Sequence, residues 1–542
     1  MNGGPPHSSV RTLLAINFNH DGAAVLLSDG RIRGFVTTER LSRLKKHPGL
    51  REEDLDELLD QAGAGIDDID HVLLCNLHLM DSPDIVTLHG GDLKDTWLEF
   101  WVNQRNDTVL LRGRRIPCTV NPDHHLLHAA AAYYTSPFSS GVSVAIDPTG
   151  CRAFLGRHNR LFPLRRDFDS WFNANYGYAH VAHRLFGSAI VGAGKVMGLA
   201  PYGAPRTRSD APLPEVTSFA ELVALADADP VVVEAGGHPL NARLAHYIQL
   251  GLEQQVDRLF TELEPLCRRN GYAPNICLSG GTALNAPATE KAFTRSGFTG
   301  LHLHPACGDD GTALGAALWY WHEVLGRARR EHTNPELMYG QRDHGRPAVE
   351  RALRARAGAL HVEATDDHAA RAAELVEQGA VVGWFDGAAE IGPRALGHRS
   401  IVADPRDPHM RDRLNTQVKH RERFRPFAPS VLNEHAAHWF GIKDSPFMLR
   451  AATARRDGIP AAVHVDNTAR VQTVERADNP FFHRLIERFA HRTGVPMVVN
   501  TSLNTKGLPI VETPEEALDT LLESGLTHLV FPGYVIAKEA PK

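Results

Sequence analysis

The sequence predicts an α/β protein built as two large units. Short apolar runs of strand length alternate with amphipathic helical stretches along the whole chain. A Gly-, Pro- and Arg-containing stretch from Gly326 to Pro347 interrupts that alternation, so we place one unit at residues 1–345 and a second at 346–542. The composition is 43% hydrophobic and 23% charged, ordinary for a soluble globular enzyme. A net charge of −6 argues against a chain-wide grip on nucleic acid. The six cysteines form no C-x-x-C pair and sit among apolar residues, as in Ile276-Cys277-Leu278, which reads as reduced core thiols. Met1 to Val10 is polar, and no apolar run has membrane-spanning length. The expectation is a cytoplasmic protein with no nucleic-acid or membrane partner.

The elements follow in order. Leu13 to Asn17 reads as a buried strand, Asn19-His20-Asp21-Gly22 as a polar turn, Ala23 to Leu27 and Ile32 to Thr37 as further strands. Leu55 to Ala62 is helical and Val72 to Cys75 a buried strand. A helix starts near His124. Val142 to Ile146 is a strand ending at Asp147, and Ala242 to Cys267 a long amphipathic helix. Ile276 to Leu278 is a strand that runs into Ser279-Gly280-Gly281, with a helix from about Ala283. Gly308 to Gly311 opens an Ala-rich helix through Tyr320. Val381 to Phe385 and Met497 to Val499 are strands of the second unit.

Three constellations carry chemistry. His124 and His128, four apart on one helix, share a face and can hold one metal ion, whereas His125 is turned about 100° away. Asp147 at a strand end and Asp309 at a helix start offer carboxylates, a mixed set suited to Fe(II), Zn(II) or Mn(II). With 30 histidines, an H-x-x-x-H pair also arises by chance. Secondly, three Gly-rich loops can let backbone approach a nucleotide: Gly280-Gly281 with Asn285, Gly308 to Gly311, and Gly194-Lys195 through Gly203, which is not a Walker A sequence. Thirdly, Arg394, Lys419, Arg425, Arg470, Asn500 and Ser502 sit in loop-like or strand-end segments and can clamp a phosphate. The alternative is solvated charge paired with residues such as Glu422.

In combination and order these motifs resemble the carbamoyltransferase family that includes nodulation protein U and the carbamoyltransferases of cephalosporin, tobramycin and ansamycin biosynthesis. The anchors are His20-Asp21 with Glu39 to Arg43, His124 to Ala130, Gly194 to Gly203, Gly280 to Asn285, Gly308 to Gly315, Gly392 to Pro405, Phe424 to Leu432, and Asn500 to Val511. The resemblance implies an actin-like ATPase first domain and a YrdC-like second domain. It implies an ATP-dependent O-carbamoyltransferase, a one-carbon group transferase of natural-product or antibiotic biosynthesis. Carbamoyl phosphate and ATP with Mg(II) would give carbamoyl adenylate, whose carbamoyl group passes to a small-molecule hydroxyl acceptor.

Carried over by residue, His124, His128, Asp147 and Asp309 resemble ligands of Fe(II) or another divalent metal. Gly194, Lys195, Gly280, Gly281, Asn285 and Gly308 fall in the nucleotide region. Arg394, Lys419, Arg425, Arg470, Asn500 and Ser502 match the carbamoyl phosphate pocket, and His20, beside Asp21, matches a catalytic histidine near the acceptor. Three positions depart from the pattern: Pro148 after Asp147, an extra Leu44, and His398 where asparagine is common. Two rival readings remain, a tRNA threonylcarbamoyl-type enzyme with the same folds and a non-catalytic ATP- and metal-binding sensor. The identity of the acceptor and the oligomeric state are not legible in the residues.

Overall fold

The structure, a computed structural model, describes residues 10–76, 85–89, 96–101, 108–121, 123–164, 174–205, 218–235 and 237–538. The reading of Met1 to Ser9 lies outside them. The α/β class expected from the sequence holds in both halves. One sheet of the first half runs in the order Arg31–Thr37, Ala23–Ser28, Thr12–Asn17, His71–Cys75, Arg114–Asn121, and continues into three more strands. Its first three strands are antiparallel, and Thr12–Asn17, His71–Cys75 and Arg114–Asn121 are parallel. A second sheet repeats this pattern with Arg160–Pro163, Gly150–Arg157, Ser140–Asp147, Asn275–Ser279 and Gly300–Leu303. The same five-strand order used twice is a duplicated fold unit.

The central strands are apolar because both of their faces are covered. Thr12–Asn17 is buried at all six positions. Functional side chains collect where such strands end: Asn17, Asp147 and Ser279 are each the last residue of their strand.

Between the sheets, the helix His124–Thr135 packs on Gly311–Trp319. Its N-cap is Asp123, whose carboxylate accepts from Leu126 N at 3.0 Å. The run Ala129 to Ala132 and Gly315 let the two backbones approach closely. A Cβ on Gly315 would lie 1.9 Å from Leu127 O. This contact, made possible by small residues, brings the start of one helix beside Asp309 at the start of the other.

Two helix boundaries differ from expectation. The segment expected to be helical from Ala283 begins as a 3-10 turn, Gly281–Leu284, and the α-helix proper is Ala286–Arg295. Asn285 imposes the break by capping, accepting from Ala288 N at 3.2 Å, with Pro287 in the first turn. The Ala-rich helix closes at Trp319, and a π turn, Tyr320–Val324, follows. All six cysteines are free and buried, as read from the sequence.

The second half is one nine-stranded sheet. Its order is Leu360–Ala364, Tyr534–Lys538, His528–Phe531, Val382–Phe385, Arg399–Ala403, Met497–Ser502, Ala428–Leu432, Thr468–Val474, Arg450–Thr453. No strand of this sheet comes from before residue 345. A two-stranded ribbon, Tyr339–Asp343 with Ala388–Glu390, straddles that division. Among the described residues, no helix is long and apolar enough to cross a membrane.

Candidate functional site

A cavity of about 1600 Å³ lies between the halves, and residues of both line it. On the first-half wall, His124 Nε2 and His128 Nε2 are 3.2 Å apart. Asp309 Oδ1 is 3.2 Å from His128 Nε2, and Asp147 Oδ2 is 3.0 Å from His124 Nε2 and 4.0 Å from His128 Nε2. His124, His128 and Asp309 bring one ligand atom each within 4.8 Å of one another, and Asp147 stands beside this trio on the His124 side.

The far ring nitrogens set the tautomers. Asn76 donates through Nδ2 to Asn17 Oδ1 at 2.7 Å and to Thr312 Oγ1 at 3.1 Å, so its Oδ1 accepts from His124 Nδ1 at 3.0 Å. Ser279 Oγ donates to Cys307 O at 3.3 Å and accepts from His128 Nδ1 at 3.0 Å. Both Nε2 atoms therefore present lone pairs toward each other. Burial works against charge on the two acids; a second proton on the facing imidazoles, hydrogen-bonded to them, holds Asp309 down to about 2 and Asp147 well below the usual carboxylate range, and a cation seated between the Nε2 atoms would take that proton's place. Two lone pairs and two carboxylates converging in a buried spot fit a divalent cation.

His125 stands apart from this set, with Nε2 3.4 Å from Asp147 Oδ1. Pro148 does not disturb Asp147, whose Oδ1 accepts from Thr149 N at 2.7 Å and Thr149 Oγ1 at 2.6 Å.

His20 borders the same centre. Asp21 Oδ2 holds its Nδ1 at 3.0 Å, and its Nε2 lies 3.4 Å from Asp309 Oδ2. The Asp21 hydrogen bond raises the imidazole above its ordinary value against the opposing effect of burial. Lys46 donates to Asp21 Oδ2 at 2.7 Å, and Asn19 Nδ2 to Asp309 Oδ2 at 2.6 Å. Sequence reasoning assigned no role to Asn19, Lys46 or Asn76. Asn76 lies 48 residues from the histidine it orients, with no local signal.

The nucleotide candidates divide. Gly194, Gly281, Asn285 and Gly308 line the cavity. Gly280 is structural: its φ is +90°, and a Cβ there would lie 2.4 Å from Ile146 O. Gly280→Ala is therefore expected to destabilise the chain by about 3 kcal/mol. A fall in the urea midpoint would register this, and an unchanged midpoint would contradict the close approach. Asn285 is largely committed to the protein, exchanging hydrogen bonds with Gln249 at 3.0 and 2.9 Å. Lys195 does not line the cavity, and its Nζ pairs with Glu422 Oε1 at 2.8 Å.

The opposite wall is cationic. Arg394, Lys419, Arg421, Arg425, Arg470, Asn500 and Ser502 all line the cavity, together with Lys45 of the first half. Sequence reasoning placed all of them except Arg421 and Lys45. Among the described residues, Arg394, Lys419, Arg421 and Arg470 have no carboxylate in ion-pair reach, and Arg425 reaches Glu422 only at 3.9 Å. Arg394 Nε, Arg470 Nε and Asn500 Oδ1 are buried without a hydrogen-bond partner there. Burial first, then repulsion from neighbouring cations, pushes Arg470 and Lys419 well below their ordinary values, and burial lowers Arg394 to about 10. Cations gathered this way fit an anion. Lys419 itself is turned onto the strand end: it donates to Asn504 Oδ1 at 2.6 Å and Asn504 O at 3.1 Å, and to Ser502 O.

The loop that carries Arg394 is wound around Glu390, whose Oε1 accepts from the backbone N of Leu396, His398 and Arg399 at 2.8, 2.9 and 2.9 Å. His398 is structural, stacked on Tyr339 at 3.6 Å. Arg40 of the first half reaches across and donates to Gly392 O at 2.8 Å and Glu390 O at 3.2 Å. Gly392 sits against the backbone of Pro305, where a Cβ would lie 2.3 Å from the carbonyl oxygen. The cationic loop is thus fixed beside the turn that leads to Asp309.

Two family models match the chain: "Carbamoyltransferase N-terminus" over residues 105–318 and "Carbamoyltransferase C-terminus" over residues 373–538. The chain is 35% identical to nodulation protein NolNO of Sinorhizobium fredii, over 96% of its own length and 79% of that protein's. It is 32% identical to 3'-hydroxymethylcephem-O-carbamoyltransferase of Streptomyces clavuligerus, over 58% of this chain and 59% of that protein. Among solved structures, component A of (R)-2-hydroxyglutaryl-CoA dehydratase from Acidaminococcus fermentans covers 59% of the chain at 14% identity and a TM-score of 0.34. That likeness is too slight to add to the topology above.

Proposed function

Because the chain belongs to the carbamoyltransferase family, we propose that it is an ATP-dependent O-carbamoyltransferase that makes carbamoyl adenylate and passes its carbamoyl group to a hydroxyl of a small-molecule natural product. One observation carries this reading: a single cavity has the His/Asp centre on one wall and an unneutralised cation cluster on the other. We read the duplicated first half as the actin-like ATPase unit and the nine-stranded second half as the YrdC-like unit, divided near residue 345. The cytoplasm, where ATP and carbamoyl phosphate are available, is its proposed location.

In this reading Arg394, Arg425 and Arg470, with Asn500 and Ser502, bind the phosphate of carbamoyl phosphate. Their fixed charge stabilises the phosphate that leaves as water releases carbamate. The carbamate oxygen then attacks the α-phosphorus of ATP, pyrophosphate departs, and carbamoyl adenylate forms. Gly194, Gly281 and Gly308 give the nucleotide a close backbone surface. Asp21 holds His20 with its proton on Nδ1, so that Nε2 takes the proton of the acceptor hydroxyl as the hydroxyl oxygen bonds to the carbamoyl carbon and AMP leaves. A divalent ion held by His124, His128, Asp147 and Asp309, Fe(II) by resemblance, would supply Lewis-acid stabilisation of charge on the adenylate oxygens.

Mass spectrometry tests the reading. Incubation with ATP, Mg(II), carbamoyl phosphate and a pool of hydroxylated sugars, aminoglycosides and macrocycles is expected to add one carbamoyl group to a member of the pool, dependent on ATP. ATP-independent transfer, or transfer only to tRNA, would refute it.

A further inference from the structure

Lys195 and Glu422 meet across the two halves of the molecule. Lys195 lies on the helix Ala189–Leu199, and Glu422 sits in the segment that carries Lys419, Arg421 and Arg425. Helix and segment are packed together. A Cβ on Gly198 would be 3.4 Å from the Pro426 ring, the Phe186 and Phe424 rings lie 6.2 Å apart, and His464 donates to Gly198 O at 2.8 Å. The Lys195 ammonium also lies 5.2 Å from the Phe186 ring centre.

Glu422 stands within ion-pair reach of the cation cluster and is three residues from Arg425. A backbone bond from Arg425 N to Glu422 O, 3.2 Å long, folds the segment so that the two side chains neighbour each other. A glutamate so placed would be expected to neutralise Arg425. It does not do so fully: its Oε1 is 2.8 Å from Lys195 Nζ, while its Oε2 stands 3.9 Å from Arg425. All three side chains are largely shielded, with exposures of 23%, 20% and 31% for Lys195, Glu422 and Arg425, so the choice of partner is only weakly screened.

We propose that Lys195 is a positioning residue for the anion site: it occupies Glu422 and so leaves Arg425 free to bind the phosphate of carbamoyl phosphate. This rests on the carbamoyl phosphate reading of the cation cluster. It moves Lys195 from the nucleotide region, where its Gly-rich loop suggested a role, to the other co-substrate. It also makes phosphate affinity depend on how the helix docks on the second half, because withdrawal of the helix would return Glu422 to Arg425.

Lys195→Met should raise KM for carbamoyl phosphate about tenfold, with kcat and KM for ATP within about twofold of the parent. Lys195→Arg should keep the parent values. Adding Glu422→Gln to Lys195→Met should restore KM, because no carboxylate then competes for Arg425. A purely structural clasp predicts the opposite, since the double variant lacks both partners. A rise in KM for ATP alone, an unchanged KM for carbamoyl phosphate, or no restoration in the double variant would overturn the proposal.

Calorimetric binding of inorganic phosphate to the full-length chain reads the same competition without turnover. If the four proteins follow the predicted affinity order but the parent never releases pyrophosphate, the adenylation reading fails and this inference stands. If the parent does not bind phosphate at all, this inference fails.

Discussion

Replacing His128 with alanine is expected to abolish divalent-metal binding at the proposed centre and to slow carbamoyl transfer by about 100-fold or more. His128 is fully buried, so no solvent-side group can substitute for it. Its Nδ1 is engaged by Ser279 and its Nε2 faces His124 and Asp309, which leaves the imidazole no other hydrogen-bonding task. Removing it takes from Asp309 an imidazole 3.2 Å away and leaves it with His20 and His124 at 3.4 and 3.7 Å. Carbamoyl phosphate binding, which we assign to the opposite wall, should persist. Metal content by plasma mass spectrometry, beside phosphate affinity, separates these effects. Unchanged metal content would contradict the assignment, and joint loss of metal and phosphate affinity would point to a collapsed fold.

Replacing Arg470 with alanine should raise KM for carbamoyl phosphate about 100-fold, the scale of losing a charge-assisted hydrogen bond in a shielded site. Arg470 lies on Thr468–Val474, a strand paired on both sides, so its backbone is well fixed. Its Nε has no partner among the described residues, and its one recorded side-chain contact is Met448 Sδ at 3.9 Å. The guanidinium contributes little visible to folding, and an anion bound there would compensate its desolvation. Because Arg394, Arg421 and Arg425 repel it, truncation should leave the melting temperature unchanged or raised. Lysine should restore only part of the affinity, since a point charge cannot reproduce the planar fork. A large fall in stability with unaltered KM would assign Arg470 to folding instead.

Much of this was legible along the chain because local pattern encodes it. Buried strands such as Thr12–Asn17 and Ser140–Asp147 are near-continuous apolar runs, and His124 and His128 meet because a helix repeats at that spacing. What local pattern cannot encode is which side chain answers which across the fold. Lys195, read as part of a Gly-rich loop, suggested a nucleotide ligand, yet it lies on the helix Ala189–Leu199, and its partner is Glu422, 227 positions onward. Lys419 suggested a phosphate ligand and, though it lines the cavity, is turned largely onto Asn504; Arg421, two positions on, lines the cavity as well. Arg40 lay within a recognised motif, but its hold on Gly392 exists only once the two halves dock. A break in alternation suggested a division near residue 345, whereas the ribbon that spans this point joins strands too short to stand out.

In the proposed reading, the two walls of one cavity run consecutive reactions. Pyrophosphate release from ATP by purified, metal-loaded protein without acceptor, measured with and without carbamoyl phosphate, tests it most directly. Release is expected only when carbamoyl phosphate is present, and at a concentration that just saturates the parent it should fall sharply in Arg470→Ala. Release indifferent to carbamoyl phosphate, or none at any concentration with acceptor pool added, would contradict it.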